Sequence, residues 1–291
     1  MQGLASRVAA LSFWNGDVIP VQLDGGITNT NFAVEDQGQK FVVRLGDDIP
    51  LHHVMRFNEL AASTAAFEAG ISPEICHSEA GIMVLRFIEG KTLTPTDIAE
   101  PNMLERLLPV LKGCHRDIPT YIKGPVLSFW VFHVLRNYAG TILKGCGRRS
   151  SDLNLLMQEA AKLETAVGPI DLVFGHNDLL AANFIDDGDK IWLIDWDYAG
   201  FNSPLFDLGG LSSNNGLSDS QQKWLLETYF EAPVTDELWH RYSAMKCASL
   251  LREALWSMVS EIHSKIDFDY PAYTDANLVG YKDAYQDFQN L

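Results

Sequence analysis

The segment Val173–Gly200 constrains the fold of this chain more than any other part of the sequence, because it reads as one tight hairpin. Phe184-Ile185 predicts a short strand, the acidic stretch DDGD at 186–189 predicts a turn, and Ile191–Ile194 predicts the return strand. A hairpin returns the chain to its starting point. Residues just before the first strand and just after the second are therefore expected to meet at its mouth.

Three polar residues occupy those positions. Asp178 and Asn183 precede the first strand, and Asp195 follows the second. Phosphoryl transfer needs such a set: one carboxylate orients an attacking hydroxyl and accepts its proton, while an amide oxygen and a second carboxylate hold magnesium. The alternative is a solvent-exposed acidic hairpin with an unrelated asparagine.

The spacing His-x-Asp-x4-Asn, followed by an apolar strand that ends in Asp, resembles the catalytic segment of the protein kinase-like phosphotransferases. His-Asn-Asp at 176–178 and Ile-Asp-Trp-Asp-Tyr at 194–198 resemble the choline/ethanolamine kinase and aminoglycoside phosphotransferase branch. The resemblance extends from Gly25 to about Tyr273. It implies an α+β, protein kinase-like two-lobed fold, with a small β-rich N-terminal lobe, a larger mainly helical C-terminal lobe and ATP in the cleft between them.

Local patterns agree with a sheet-rich first part and a helical remainder. Residues 31–36 and 40–45 alternate apolar and polar across Gln37-Gly38, which predicts a hairpin. Residues 51–69 predict a helix, and 82–88 predict a strand. Further helices are predicted at 94–97 onward, with Thr94 as the cap, and at 101–115, 129–143, 152–167, 220–230 and 236–265, with a short amphipathic helix at the N-terminus. We expect residues 1–88 to form the nucleotide-binding lobe and residues 89–291 the catalytic and substrate-binding lobe.

The stretch DGGITNTN at 24–31 lies between two predicted strands. Small and polar residues let the backbone approach a ligand, and their N–H groups and hydroxyls can donate to phosphate oxygens. The stretch resembles the phosphate loop of choline kinase-like proteins, although such letters also occur in ordinary loops. The expected nucleotide-binding residues of this loop are Gly25, Gly26, Thr28, Asn29, Thr30 and Asn31.

Arg44 lies in the strand FVVRL, where a cation needs a partner or a ligand. The resemblance implies that Arg44 contacts phosphates and pairs with Glu59 on the next helix. An arginine of an edge strand that faces solvent is the alternative, and Arg56 reads as an ordinary surface residue. Phe87 and Ile88 resemble the family's hinge, whose backbone meets adenine, but a plain strand end explains these letters equally well.

The resemblance also assigns roles near the hairpin. Asp178 is the expected base, Asn183 and Asp195 are the expected magnesium ligands, and Asp197 either helps to hold the metal or is a solvated carboxylate. His176 is expected to pack under the catalytic loop rather than to act as a base. Asp207, at a predicted helix start, is expected to brace that loop.

Aromatic residues near the C-terminus bear on the acceptor. Quaternary ammonium groups bind aromatic faces, because the ring quadrupole attracts a cation that cannot donate hydrogen bonds. Trp256 and Tyr273 match aromatic positions of the choline kinases, Glu253 replaces another, and Tyr198 is a further candidate. Aromatic core packing of a C-terminal helix is the alternative reading.

Together these features predict an ATP- and Mg²⁺-dependent kinase that phosphorylates the hydroxyl of choline or a related amino alcohol. A kinase of thiamine or an aminoglycoside, or a catalytically inactive relative that binds nucleotides or other ligands, is the alternative. The sequence does not predict an oligomeric state.

Composition limits the partners. The 291 residues carry a formal charge of −16, which disfavours a nucleic-acid partner. No apolar run is long enough to cross a bilayer, and the N-terminus lacks the pattern of a signal peptide. Four scattered cysteines form no C-x-x-C pair and indicate reduced thiols in a cytoplasm.

Overall fold

The computed structural model describes residues 2–23 and 29–291. Its strands in these ranges are β1 (Val21–Gln22), β2 (Thr30–Asp36), β3 (Gln39–Leu45), β4 (Ile75–Glu79), β5 (Ile82–Arg86), β6 (Lys91–Thr92), β7 (Val173–Gly175), β8 (Phe184–Asp186), β9 (Ile191–Leu193) and β10 (Gly200–Asn202). The α-helices are α1 (Gln2–Ala9), α2 (Arg56–Glu68), α3 (Pro95–Ile98), α4 (Pro101–Arg116), α5 (Ile118–Tyr121), α6 (Val131–Lys144), α7 (Leu153–Val167), α8 (Pro204–Asn214), α9 (Asp219–Phe230), α10 (Asp236–His263) and α11 (Tyr270–Gln289).

The first part of the chain forms an antiparallel sheet in the strand order β1-β2-β3-β5-β4. The predicted hairpin is present, since β2 pairs with β3. Gln37 and Gly38, at its two-residue turn, both have positive φ, which matches the twist that two-residue hairpins need. One face of the sheet, which includes Phe32, Val43 and Val84, is buried against Val8 of α1. The predicted N-terminal amphipathic helix is therefore confirmed, and it covers this face.

The helix predicted at 51–69 starts later than expected. Residues Pro50–His52 form a short 3-10 turn, and His53 adopts a left-handed conformation with φ 62. An L-residue in that region cannot continue an α-helix, so α2 starts only at Arg56. The buried face of α2 packs into the larger hydrophobic core formed mainly by later parts of the chain.

The segment after the sheet follows the sequence prediction closely. Strand β5 ends at Arg86, two residues before the predicted end. Thr94 caps α3 through a reciprocal pair of hydrogen bonds with Asp97, and Pro95 occupies the first turn, so the predicted cap is confirmed.

The helical part is built around α10, which contacts α6, α7, α8 and α11. Gly209 of α8 lies against this helix, and a Cβ added there would meet Cα of Lys246 at 3.0 Å. The absence of a side chain thus allows α8 and α10 to approach closely. The helices predicted between residues 101 and 265 are all present, with ends within about two residues of the expected positions.

Helix α11 was not among the predicted elements. It begins with Pro271 in its first turn, and its buried residues Leu278, Tyr281, Tyr285 and Phe288 recur at helical spacing. Among residues 2–23 and 29–291, no helix is both long enough and apolar enough to cross a membrane.

Candidate active site

The hairpin of β8 and β9 brings Asn183 and Asp195 together, as the sequence predicts. Phe184 pairs with Leu193, and the backbone N–H of Ile194 donates to the carbonyl oxygen of Asn183 over 2.9 Å. Asp195 leaves the strand with φ 70, a left-handed conformation that turns the chain sharply at this point. The mouth of the hairpin therefore holds an amide and a carboxylate side by side.

Asp178 joins the same site through Asn183. The side-chain Nδ2 of Asn183 donates to the backbone oxygen of Asp178 over 2.8 Å. This bond fixes the orientation of the amide, because the nitrogen side is used within the protein. The amide oxygen of Asn183 is then the atom that can meet a ligand.

The loop that carries Asp178 is braced from below by His176 and Asp207. His176 donates from Nε2 to the oxygen of Ile194 over 2.9 Å, and its Nδ1 accepts from the N–H of Asp178 at 3.3 Å. Asp207 accepts from the backbone N–H groups of His176 and Asn177 at 2.8 and 2.7 Å. Both residues are buried, so the predicted structural roles of His176 and Asp207 are confirmed.

The sequence did not indicate the residue that pairs with Asp178. Arg252 of α10 donates from Nη2 to Oδ1 of Asp178 over 3.0 Å, and its Nη1 lies 3.0 Å from Oε2 of Glu253. Burial raises the pKa of Asp178 to about 6, although Arg252 acts in the opposite direction. A carboxylate with that pKa can exchange a proton near neutral pH, as a general base must.

Arg44 of β3 pairs with Glu59 of α2, as predicted. Its Nε lies 2.5 Å from Oε1 of Glu59, and its Nη2 lies 2.5 Å from Oδ1 of Asp195 and 2.9 Å from Oδ1 of Asp197. The reading of Arg44 as an edge-strand arginine that faces solvent is wrong, because its side chain is only 10% exposed. Arg44 therefore connects the sheet, α2 and the end of the hairpin.

Two expectations about neighbouring residues are corrected. Arg56 is not an ordinary surface residue: its Nη1 lies 2.6 Å from Oε2 of Glu59 and 2.7 Å from Oδ1 of Asp197. Asp197 is not a solvated carboxylate, since its side chain is 2% exposed. The two arginines and the carboxylates form one buried ionic network, and charged partners from different elements explain why these side chains tolerate burial.

Above this network lies a cleft of about 100 Å³. Most of its lining residues come from the sheet and from the hairpin: they include Val42, Met83, Leu85, Ile185 and Ile194, with Arg44 and Asp195 among the polar ones. Ile88 also lines the cleft, whereas the backbone N–H of Phe87 donates to the oxygen of Lys40 and extends the sheet.

Only the end of the predicted phosphate loop, residues 29–31, lies within the described residues. The predictions for Gly25, Gly26 and Thr28 fall outside the described residues. Asn29 donates from Nδ2 to Oδ2 of Asp197 over 3.0 Å, which places the end of this stretch beside the ionic network. Thr30 and Asn31 begin β2, and Asn31 lines the cleft.

The residues that are predicted to contact the phosphoryl acceptor lie together around Arg252. The phenol of Tyr273 donates to Oε1 of Glu253 over 2.8 Å. The guanidinium carbon of Arg252 lies 5.1 Å from the ring centroid of Tyr198, whose oxygen accepts from Nε1 of Trp256 at 2.9 Å. The structure thus joins Asp178, Glu253 and the three aromatic residues in a continuous network.

The sheet lobe with its arginine–glutamate pair, the helical lobe and the Asp–Asn–Asp set beneath the cleft define a protein kinase-like phosphotransferase. Residues 21–224 match the family model described as choline/ethanolamine kinase. This match covers more than half of the chain, and the chain belongs to the choline/ethanolamine kinase family.

Individual relatives agree with this assignment. The chain is similar to the protein LicA of Haemophilus influenzae, with 28% identity over 268 residues that cover 87% of this chain and 76% of the relative. It is 29% identical to a probable ethanolamine kinase of Arabidopsis thaliana over 286 residues, which cover 87% and 75% of the two chains. The crystal structure of a choline/ethanolamine kinase family protein from Mesorhizobium loti superposes with a TM-score of 0.79 at 26% identity, covering 97% of this chain and 94% of that one.

The family and fold predictions are confirmed by these comparisons. The chain is an ATP-dependent phosphotransferase whose acceptor is a small-molecule alcohol.

Proposed function

We propose that this chain transfers the γ-phosphoryl group of MgATP to the hydroxyl of choline or a related amino alcohol, with Asp178 as the base. The observation that carries the proposal is the meeting of Asp178, Asn183 and Asp195 at the mouth of one hairpin, beneath a cleft lined by side chains of both the sheet and the hairpin. Positioning and electrostatic stabilisation supply most of the catalysis in phosphoryl transfer.

Asp178 orients the acceptor hydroxyl and accepts its proton. Its carboxylate is 18% exposed, so it is accessible from the site while burial keeps its pKa near 6. The bond from Asn183 and the brace of His176 and Asp207 hold its backbone in place. A fixed base near the hydroxyl converts proton transfer into a step that needs little reorganisation.

Asn183 and Asp195 are the residues that would hold magnesium. The fixed amide of Asn183 presents its oxygen, and the side chain of Asp195 is 28% exposed, so the site offers the hard oxygen ligands that Mg²⁺ prefers. When bound, the ion neutralises charge on the phosphates. Asp197 is buried against Arg44 and Arg56, which supports a role as their anchor, and its predicted contact with the metal stays a prediction.

The nucleotide occupies the cleft. Val42 and Leu85, which pair across β3 and β5, supply apolar side chains from the sheet, and Ile194 supplies one from the hairpin. Arg44 stands at the polar end and contacts phosphates, with Glu59 keeping its guanidinium in position. Ile88 lines the cleft, which supports its predicted position near the adenine ring. The predicted contacts of Phe87, Asn29 and loop residues 25, 26 and 28 stay predictions.

The cationic head of the acceptor meets Glu253. This carboxylate has a side chain that is 26% exposed and, like that of Asp178, lies 3.0 Å from Arg252. Tyr273 lies beside it, and the ring of Tyr198, which is bonded to Trp256, lies against Arg252.

We also propose a cytoplasmic location, supported by the use of ATP and by four cysteines that are all free.

The test is a direct assay of the purified chain with MgATP and a panel of choline, ethanolamine, thiamine and an aminoglycoside. We expect phosphorylation of an amino alcohol. Asp178→Asn should reduce kcat by a factor on the order of 10² or more while nucleotide binding persists. Asp189→Asn, at the exposed turn of the same hairpin, is the matched control and should behave as wild type.

Turnover of thiamine or an aminoglycoside but of no amino alcohol would move the acceptor to the alternative class and leave the phosphotransfer chemistry intact. Full activity of Asp178→Asn would remove Asp178 from the role of base.

A further inference from the structure

One guanidinium holds the two carboxylates that face the acceptor. Nη2 of Arg252 lies 3.0 Å from Oδ1 of Asp178, and Nη1 lies 3.0 Å from Oε2 of Glu253. The two carboxylates thus bind to neighbouring nitrogens of a single planar group. Asp178 comes from the catalytic loop and Glu253 from α10, so Arg252 joins two elements that the chain keeps 75 residues apart.

This guanidinium has little freedom to move. The side chain of Arg252 is only 5% exposed, and its guanidinium lies over the ring of Tyr198, with 5.1 Å between the guanidinium carbon and the ring centroid. Nη2 also lies 3.4 Å from the backbone oxygen of Asn177. A planar cation that is packed against a ring and bound at two nitrogens fixes the positions of its partners better than a flexible ammonium would.

Glu253 is held from its other side as well. The phenol of Tyr273 donates to Oε1, while Oε2 faces Arg252. Both oxygens therefore have protein partners, and the carboxylate cannot rotate freely toward or away from Asp178. The spacing between the two carboxylates follows from the shape of the guanidinium rather than from the flexibility of either side chain.

We propose that Arg252 is a positioning residue that determines which length of acceptor fits the site. By binding Asp178 and Glu253 to adjacent nitrogens, it sets the distance between the group that receives the hydroxyl proton and the group that meets the ammonium. This inference rests on the proposed function, which places those two groups of the acceptor at these two carboxylates. Because Arg252 fixes this distance, we expect the site to distinguish amino alcohols by the number of carbons between oxygen and nitrogen, and to prefer two carbons over three.

The experiment compares ethanolamine with 3-amino-1-propanol as acceptors for wild type, Arg252→Lys and Arg148→Lys. Lysine keeps the charge but presents one ammonium, which cannot hold two carboxylates at a fixed spacing. Arg148 is a matched control, because it too pairs with two carboxylates, Glu261 and Asp275, but lies at the surface with 41% of its side chain exposed.

We expect wild type to prefer ethanolamine. In Arg252→Lys, kcat with ethanolamine should fall by about 10²-fold, the loss typical of a misplaced reacting group, while KM for ATP stays unchanged. The preference for ethanolamine, measured as a ratio of kcat/KM values, should fall at least about tenfold, since one decade corresponds to a modest change in binding. Arg148→Lys should leave all of these values unchanged.

An equal loss for both acceptors in Arg252→Lys, with the ratio intact, would overturn the proposal and leave Arg252 with a role in supporting Asp178 alone. If Arg252→Lys does not fold, Glu253→Asp provides the second test, because it withdraws one carboxylate by a methylene. It should shift the preference toward 3-amino-1-propanol, and an unchanged preference would contradict the proposal.

Failure of the proposed function has a different signature. A wild-type protein that phosphorylates neither of these amino alcohols nor choline, or an active Asp178→Asn variant, would overturn the assignment of the two carboxylates and this inference together. An amino-alcohol kinase whose Asp178→Asn variant is inactive but whose Arg252→Lys variant keeps its chain-length preference would overturn this inference alone.

Discussion

The indole nitrogen of Trp256 donates to the phenol oxygen of Tyr198 over 2.9 Å, and both side chains are less than one tenth exposed. The ring of Trp256 also lies 5.0 Å from that of His52 and 6.2 Å from that of Tyr270. One hydrogen bond and two ring contacts thus hold Trp256, on α10, against Tyr198, the turn before α2 and the start of α11. This environment favours a packing role for Trp256 over a role as an exposed ring face that binds the acceptor.

Trp256→Ala should therefore lower the free energy of unfolding by about 3–5 kcal/mol, the range for deleting a large buried aromatic side chain. Urea denaturation measures this. Trp256→Phe is the matched variant: it keeps a ring and removes the indole N–H, which leaves the buried phenol of Tyr198 unpaired at a cost of roughly 1–3 kcal/mol. A stable Trp256→Ala protein with a raised KM for choline and an unchanged KM for ATP would instead show that the ring binds the acceptor.

The pH dependence should report the carboxyl group of Asp178. Burial raises its pKa to about 6, Glu253 adds to that shift, and Arg252 opposes it. His176 opposes it as well, and Asp195 adds to it. Because the base must be deprotonated, kcat/KM should fall about tenfold per pH unit below roughly pH 6. Glu253→Gln removes a charge that raises the pKa, so its acidic limb should move to lower pH.

The carboxyl group of Asp178 should affect stability in the opposite direction from activity: acid pH lowers kcat/KM but favours the folded protein. The folded pKa lies above that of an unfolded aspartate, about 3.9, so the folded protein binds the proton more tightly. Its contribution is fully present below about pH 4 and is lost as pH rises through about 6. If the residual activity of Asp178→Asn falls at acid pH in the same way as that of wild type, the pH dependence of activity belongs to another group.

Magnesium dependence should separate Asp195 from Asp197. Asp195→Asn removes a partly exposed carboxylate from a site for a hard cation, so the apparent magnesium affinity should fall steeply. Asp197→Asn leaves Arg44 and Arg56 short of a buried partner, and we expect it mainly to lower stability. Magnesium titrations of activity at saturating acceptor, together with thermal melts, distinguish the two effects. An unchanged titration in Asp195→Asn would move the metal elsewhere.

Asp207 should matter for folding rather than for substrate affinity. It is 2% exposed and accepts from the backbone of His176 and Asn177 and from Nε2 of His115. Burial alone would raise its pKa, but the hydrogen bond from His115 and the other contacts hold the pKa below its usual value. Removing such a buried partner typically costs about 3–5 kcal/mol, so Asp207→Ala should lose that much stability in denaturant titrations. A stable variant would contradict the bracing role.

Much of the catalytic segment could be predicted because its geometry is local. An acidic turn between two short apolar strands permits few folds, and a closed hairpin forces Asn183 and Asp195 together. The pairing of Arg44 with Glu59 followed from the resemblance, combined with the rule that a buried cation needs a partner. The position of Asp207 at a helix start also followed from the resemblance.

What the sequence did not show depends on contacts between distant elements. Arg252 pairs with Asp178 across 74 positions, and no local spacing encodes that contact. Arg56 resembles a helix-surface residue along its own helix, and only the arrival of Asp197 from the hairpin makes it part of a buried network. Helix α11 is rich in tyrosine and aspartate, which weakens its helical propensity, although its buried spacing could have revealed it.

The packing of helix α2 links the two lobes, so they are not expected to fold as separate fragments. Its buried alanines, Ala62, Ala65 and Ala66, pack into the larger core rather than the core of the sheet, while Glu59 ties the same helix to β3. A truncated chain that stops at residue 88 would leave that apolar surface without its partner, and such surfaces promote aggregation. The two lobes should accordingly melt in a single cooperative transition, and neither should be recoverable as an independently folding fragment.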